Sequence, residues 1–394
     1  MNRAWTEFLN LLSGALDDAE AQSRRRVMRP VGRLAGGRVS LPDGRVLIDV
    51  SSNDYLGLAL HPLVRTRAAD YAQRFGGSAP ASRLVTGTLP EHLLVEERLA
   101  AFKRADAALL FASGYQANAS VLPALIDLMA GPVKVFADRL NHASLHAGLA
   151  QAGVRQIRFR HNDLDHLERQ LQAIDNQGRT RLIVTETVFS MDGDRADLAG
   201  LLDLAGRYDC ILYLDEAHAT GVLGPHGAGL AATLPKGAPA IVMGTLGKAL
   251  GGFGAYVAGP RTLIDALVQR CGGFIYSTAP PPAALGALDA ALDIVPGMDA
   301  ERDRLLANAA RVRQAAEARD FATFGSTTQI APIGLGAETR ALNAMHVLEE
   351  AGFLAVAIRP PTVSEGTSRL RISLSAAHDN ATIDALIEAI GAIR

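Results

Sequence analysis

The sequence predicts an α/β fold: a mostly parallel central sheet with helices on both faces, joined to a smaller C-terminal α+β domain and an N-terminal helical arm. Three observations lead there. The chain has 394 residues and 48% hydrophobic content, enough for a substantial core. From about residue 105 to 260, strand-like apolar runs alternate with helix-length segments, the pattern of a sheet covered on both sides. Beyond about residue 290 the texture changes to long Ala-rich helices separated by short strands.

Taken in order, the first 30 residues space Trp5, Phe8, Leu11, Leu12 and Leu16 along one helical face. Asp17, Asp18 and Glu20 and then the basic run Arg24, Arg25, Arg26 follow, which reads as an arm. A short hairpin is expected next, with "GRVSL" and "RVLIDV" flanking Pro42, Asp43 and Gly44. The central strands are "AALLFA", "VKVFA", "RLIVTETV", "CILYLDEAH", "AIVMGTLGK" and "FGAYVAG". In the last third, helices are expected around 300 to 318 and 337 to 351, and strands near 329 to 334, 354 to 359 and 369 to 374. A final helix starts at about 379. The implied division is an arm and hairpin at 1–50, a large domain at 51–289 and a small domain at 290–394. "APPPAA" and "RPP" read as rigid turns at its junctions.

Bulk charge narrows the function. The 39 basic and 41 acidic residues leave a formal charge of -2, so no global field favours nucleic acid. Cys210 and Cys271 are too few for a disulfide framework or a zinc site, which points to a reducing cytoplasm. The N-terminus lacks the apolar core of a secretory signal. No stretch approaches the roughly 18 apolar residues of a membrane span.

The most informative stretch is "ILYLDEAHATG" at 211 to 221, an apolar strand ending in Asp215, Glu216 and His218. Open α/β sheets hold ligands at the carboxyl ends of their strands, so an acid there is either a magnesium ligand of an ATP-driven motor or a carboxylate aimed at a cofactor. A phosphate-binding loop needs G-x-x-x-x-G-K-[ST]; around Lys248 the outer glycine is Val242 and the hydroxyl is Ala249, so the motor fails. The glycine-rich loop also comes too late in the chain for a dinucleotide fingerprint. His142 and His146 in "HASLH" sit at zinc-ligand spacing, but Ala143 stands where metalloprotease chemistry needs its acid; no metal is expected.

Lys248 follows an apolar strand and is surrounded by Gly247, Gly251, Gly252 and Gly254, which permit backbone to approach a bulky ring. Its plain alternative is a solvated loop lysine. A lysine in a partly dry crevice loses its proton readily and can join an aldehyde. If that aldehyde is pyridoxal phosphate, Asp215 acquires a purpose, because the cofactor draws electrons only while its ring nitrogen is protonated. The alternative for Asp215 is a turn acid, but five apolar residues lead into it and a buried acid wants a positive partner.

Seven ordered blocks extend this reading: "SNDYLGL", "SGYQAN", "DRLNHASL", "TETVFSMDGD", "LDEAHATGVLGPHG", "GTLGKALGG" and "IRPPTVSEGTSRLRISLSAAH". Together they resemble the α-oxoamine synthases, pyridoxal-phosphate enzymes of fold type I. The resemblance implies that Lys248 carries the cofactor, Asp215 pairs with its ring nitrogen, His218 bonds the ring hydroxyl and His142 lies against the ring. It places Gly114 and Tyr115 at a helix N-terminus facing the phosphate, with Ser190 and Thr245 as further cofactor contacts. It implies a homodimer with shared sites, Ser277 and Thr278 reaching the neighbouring subunit's phosphate. Substrate contacts by resemblance are Arg24 (or Arg25 or Arg26), Asn53 and Thr362, with Arg359 and Arg371 as holders of a carboxylate.

"RPPTV" before "GTSRLR" resembles the alanine-using branch of the family. The implied reaction is therefore the decarboxylative condensation of L-alanine with a pimeloyl thioester, carried by coenzyme A or an acyl-carrier protein. The glycine acetyltransferase branch, an aminotransferase and a silent partner subunit are the alternatives; Lys248 argues against the last. The stretch "GGSAPASRL" departs from part of the family's glycine-serine pattern.

Overall fold

The computed structural model describes residues 2–129, 131–174, 178 and 180–393. The chain forms two compact units. One comprises Asn53–Ser190 and Asp194–Leu305; the other comprises Met1–Ser52, Met191–Gly193 and Leu306–Arg394.

The first unit is built on a seven-stranded sheet. Its strands are β1 (Ala107–Phe111), β2 (Lys134–Asp138), β3 (Gln156–Phe159), β4 (Arg181–Glu186), β5 (Cys210–Asp215), β6 (Ala240–Thr245) and β7 (Ala255–Gly259). Their order across the sheet is β1-β7-β6-β5-β4-β2-β3. Only β7 runs against the rest, antiparallel to both β6 and β1; the other neighbouring pairs are parallel. Every apolar run expected between 105 and 260 forms one of these strands. The short β3, in which Gln156 and Arg158 alternate with apolar residues at the sheet edge, and a two-stranded ribbon of Ala79–Ser82 with Thr278–Ala279 were not anticipated.

Side chains alternate across a strand with a period of two, so each strand feeds two cores. Leu182, Val184 and Tyr213 pack with Ala117, Val121 and Leu125 of the helix Gly114–Leu128 on one face. Ile183, Leu212 and Leu214 pack with Leu167, Leu171, Leu201 and Leu204 on the other, under the helices Leu164–Ala173 and Leu198–Arg207. This explains why the runs read as continuously apolar.

The second unit holds the expected arm, the helix Arg3–Ala21, on which Trp5, Phe8, Leu11, Leu12 and Leu16 are all exposed. The hairpin Arg38–Ser40 with Val46–Asp49 follows, and Phe353–Leu354 extends it in parallel. Strands Ile330–Gly336, Ser368–Ser373 and Ala357–Ile358 form a three-stranded sheet, flanked in sequence by the helices Glu338–Glu350 and Asn380–Gly391. Arg29 and Arg45 both bind Glu349 and hold its carboxyl at about 2, so the arm, the hairpin and the helix are pinned at one point. The unit's C-terminal part begins at Leu306, inside the helix Asp299–Glu317. Among the described residues no helix is long and apolar enough to cross a membrane.

Candidate active site

The alternation that builds the two cores also sorts the acids at the end of β5. Asp215 lies on the face of Tyr213, towards the helix Gly114–Leu128; Glu216 emerges on the opposite face. There Glu216 accepts a hydrogen bond from Lys103 Nζ at 2.5 Å and from the Ala231 amide at 2.7 Å, with both charged side chains fully buried. The second acid is thus part of the scaffold, locked from behind, while the first is presented forward.

Asp215 is 3% exposed. Its carboxylate accepts from Asn118 Nδ2 at 2.9 Å and from the Ala217 amide at 2.8 Å. Asn118 is oriented by Tyr213, whose hydroxyl donates to Asn118 Oδ1 at 2.9 Å, and by Ser144 Oγ at 2.9 Å. Burial raises the Asp215 pKa above the ordinary carboxylate value, and Lys248, Asn118, Ala217 and His142 oppose that rise. Asn118 and Ala217 are both neutral donors.

Lys248, half-buried, sits in the turn after β6. Its Nζ is 2.8 Å from His218 Nε2, and His218 Nδ1 is 2.7 Å from the Tyr55 hydroxyl, which donates to Asn53 Oδ1 at 3.0 Å. One direction of donation satisfies the whole chain: lysine N–H to Nε2, Nδ1–H to the tyrosine oxygen, tyrosine O–H to the amide oxygen. Neutral His218 then carries its proton on Nδ1. Among the glycines around Lys248, Gly251 (φ +63°) and Gly254 (φ +105°) bring backbone against backbone, where a Cβ would lie 2.5 Å from Ala59 N and 2.7 Å from the Phe111 carbonyl, and they shape a tight turn.

His142 caps the helix Ala143–Gln151, accepting from the Ser144 amide at 3.3 Å and sharing a 2.7 Å contact with Ser144 Oγ. Its own amide donates to Glu186 Oε1 at 2.6 Å. Gly114 opens the helix Gly114–Leu128 beside Thr245 at the end of β6, so close that a Cβ would stand 2.6 Å from Thr245 Cγ2. Tyr115 next to it is exposed, and Ser190 is buried just past β4. Ser277 Oγ accepts from Gln116 Nε2 at 2.6 Å, and Thr278 pairs with Ser82 in the ribbon.

The other residues named for substrate lie in the second unit. Arg24 forms ion pairs with Glu338 and Glu365 at 2.7 and 3.1 Å. Arg359 donates to the backbone carbonyls of Ser23 and Arg25, and Arg26 approaches Thr362 Oγ1 at 3.3 Å. Arg371 is buried in its strand with a 2.7 Å bond to Ser373 Oγ. Asn118, Tyr55, Ser144 and Glu186 were not singled out from sequence, although each lies in or next to a family-like block; strand register and helix packing, which the sequence does not display, give them their places.

The profile of the family "Aminotransferase class I and II" matches residues 45–390. The chain is 56% identical to the 8-amino-7-oxononanoate synthase of Gluconacetobacter diazotrophicus, over 98% of this chain and 97% of that protein. The chain belongs to the 8-amino-7-oxononanoate synthase family. The enzyme of that name from Anaeromyxobacter sp. (strain K) is 47% identical over 98% of this chain and 96% of that protein. Among solved structures, serine palmitoyltransferase of S. paucimobilis with bound PLP and myriocin superposes with a TM-score of 0.87 at 26% identity, covering 99% and 96% of the two chains. The 8-amino-7-oxononanoate synthase of Francisella tularensis superposes with a TM-score of 0.74 at 28% identity, covering 87% and 96%.

The fold is therefore fold type I, and the protein is an acyltransferase-type enzyme whose cofactor is pyridoxal phosphate. The residues present fit that group: an amine on Lys248, a buried carboxylate bonded by the neutral donors Asn118 and Ala217, and a helix start at Gly114 whose backbone amides suit a phosphate.

Proposed function

We propose that the enzyme condenses L-alanine with a pimeloyl thioester, releasing carbon dioxide and the free thiol carrier and forming 8-amino-7-oxononanoate. The names of the relatives support the product, and the presentation of Asp215 and Lys248 from adjoining strand ends supports the chemistry. When bound, pyridoxal phosphate supplies an electron sink for the amino acid's α-carbon.

The residues divide the remaining work. Lys248 Nζ would hold the cofactor and serve as the base for the α-proton, and His218 Nε2, 2.8 Å away, would accept a proton from it. Asp215 supplies the negative charge for the protonated ring nitrogen, and Asn118 and the Ala217 amide fix that carboxylate. His142 would lie against the ring of the bound cofactor. Gly114, Tyr115, Ser190 and Thr245 receive the phosphate end of the cofactor, and Ser277 and Thr278 act towards a second subunit in a homodimer. Asn53 accepts from Tyr55 and serves as a substrate contact in this reading. Arg24, Arg359 and Thr362 recognise the substrates' carboxylates and the acyl entrance, with coenzyme A or an acyl-carrier protein as the carrier. Arg371, buried beside Ser373, supports such a role less well than Arg359.

The test is spectroscopic and then chemical. Purified protein is expected to show a visible cofactor band that borohydride bleaches and that Lys248→Ala abolishes. It should turn over alanine with pimeloyl-CoA. Turnover of glycine with acetyl-CoA instead would move the enzyme to the acetyltransferase branch.

A further inference from the structure

Glu186 stands beside Asp215 and has no part in the chemistry above. The two occupy directly paired positions on the parallel strands β4 and β5, on the same face, and both are buried, at 2% and 3% exposure. Two buried carboxylates so placed disfavour each other's charge, so a proton on one of them is favoured. Their donors are unequal: Asp215 accepts two N–H bonds, from Asn118 and Ala217, whereas Glu186 accepts that of the His142 amide at 2.6 Å.

We propose that Glu186 is a positioning residue that stays protonated and uncharged, fixing the backbone of His142 and leaving Asp215 as the single anion available to the cofactor's ring nitrogen. The inference rests on the cofactor reading of Asp215 and Lys248. Other charged groups act on Glu186 in the same sense or against it. Burial, Asp215 and Asp138 favour its proton, while the His142 amide and Lys248 oppose it; the balance holds its pKa well above the ordinary 4.5.

A protonated acid is mimicked in shape and charge by an amide, which makes Glu186→Gln the decisive variant. Infrared spectra of the cofactor-free protein at pH 7 are expected to show a carboxylic-acid carbonyl band that Glu186→Gln removes. Because Glu186 is raised, the wild-type protein loses stability as pH rises above 4.5 towards its folded pKa. Glu186→Gln should therefore melt higher than wild type at pH 8, with the difference vanishing below about pH 4.5. In the loaded enzyme, Glu186→Gln should leave the pH midpoint of the cofactor band within about 0.3 unit, whereas Glu186→Ala, which frees the His142 amide, should raise the KM for the amino acid by about tenfold.

A shift of one unit or more in Glu186→Gln, or persistence of the acid band, would show that Glu186 is charged or that another acid holds the proton, and overturns the proposal. An unchanged KM in Glu186→Ala would remove the positioning role. Borohydride labelling of Lys248 in the same variants reports separately on the cofactor reading.

Discussion

Lys248 Nζ lies 2.8 Å from His218 Nε2, while the other ring nitrogen of His218 is held 2.7 Å from Tyr55, a tyrosine with no exposed surface. The amine of Lys248 is thus matched to an imidazole whose tautomer is fixed from behind.

Replacing His218 by Phe keeps the bulk and removes the acceptor. The reducible band at Lys248 is expected to persist, while steady-state assays of product formation show kcat lowered by about 10²-fold or more. A kcat within twofold of wild type would take His218 out of proton transfer.

Lys103 and Glu216 form a fully buried pair behind the site. Lys103→Met strands the Glu216 charge and should cost about 3–5 kcal/mol in urea unfolding of the cofactor-free protein; Glu216→Leu added to it should recover most of that loss. Equal instability of the single and double variants would contradict this account.

His161 touches Asp138 with one ring nitrogen and Asp194 with the other, at 3.1 and 2.9 Å. Burial opposes its charge, but the hydrogen bonds to Asp138 and Asp194 outweigh burial and raise its pKa to about 10. Since the folded value exceeds the ordinary 6.5, the stabilisation is fully present below pH 6.5 and is lost as pH rises through about 10. Thermal melts of wild type against His161→Gln should differ most at pH 6 and converge near pH 10. A gap that is constant with pH would mean that the imidazole is not charged.

Gly114→Ala places a methyl group where Thr245 Cγ2 stands, 2.6 Å away. Cofactor affinity, followed by titrating the cofactor-free protein, should fall about tenfold or more, and Thr245→Ser, which deletes that methyl group, should restore much of it. Failure of the serine to rescue would place the damage elsewhere.

Most of the sheet was legible because strands covered on both faces are uninterrupted apolar runs; β5 announces itself as "CILYL". β3 was not, since at the edge "QIRF" alternates with polar residues and is only four long. Lys248, Asp215, His142 and Gly114 could be named from chemistry and resemblance. Asn118 could not, because its importance comes from a helix turn that faces β5. Nor could Glu186, whose partner lies 29 positions away and meets it only through strand register. The glycine-rich stretch after Lys248 announces conformational freedom in the sequence, but not that Gly251 and Gly254 pack against Leu58, Ala59 and Phe111, which come from distant parts of the chain.

Neighbouring acids with opposite duties make β5 intolerant of any change in length. Insert or delete one codon between Cys210 and Leu214 and the pleat is read out of phase. Asp215 would then point into the scaffold, and Glu216 towards the face that Asp215 now occupies. Exchange of one aliphatic residue for another along the same stretch leaves that phase intact, so natural variation in this strand should consist of substitutions and never of gaps.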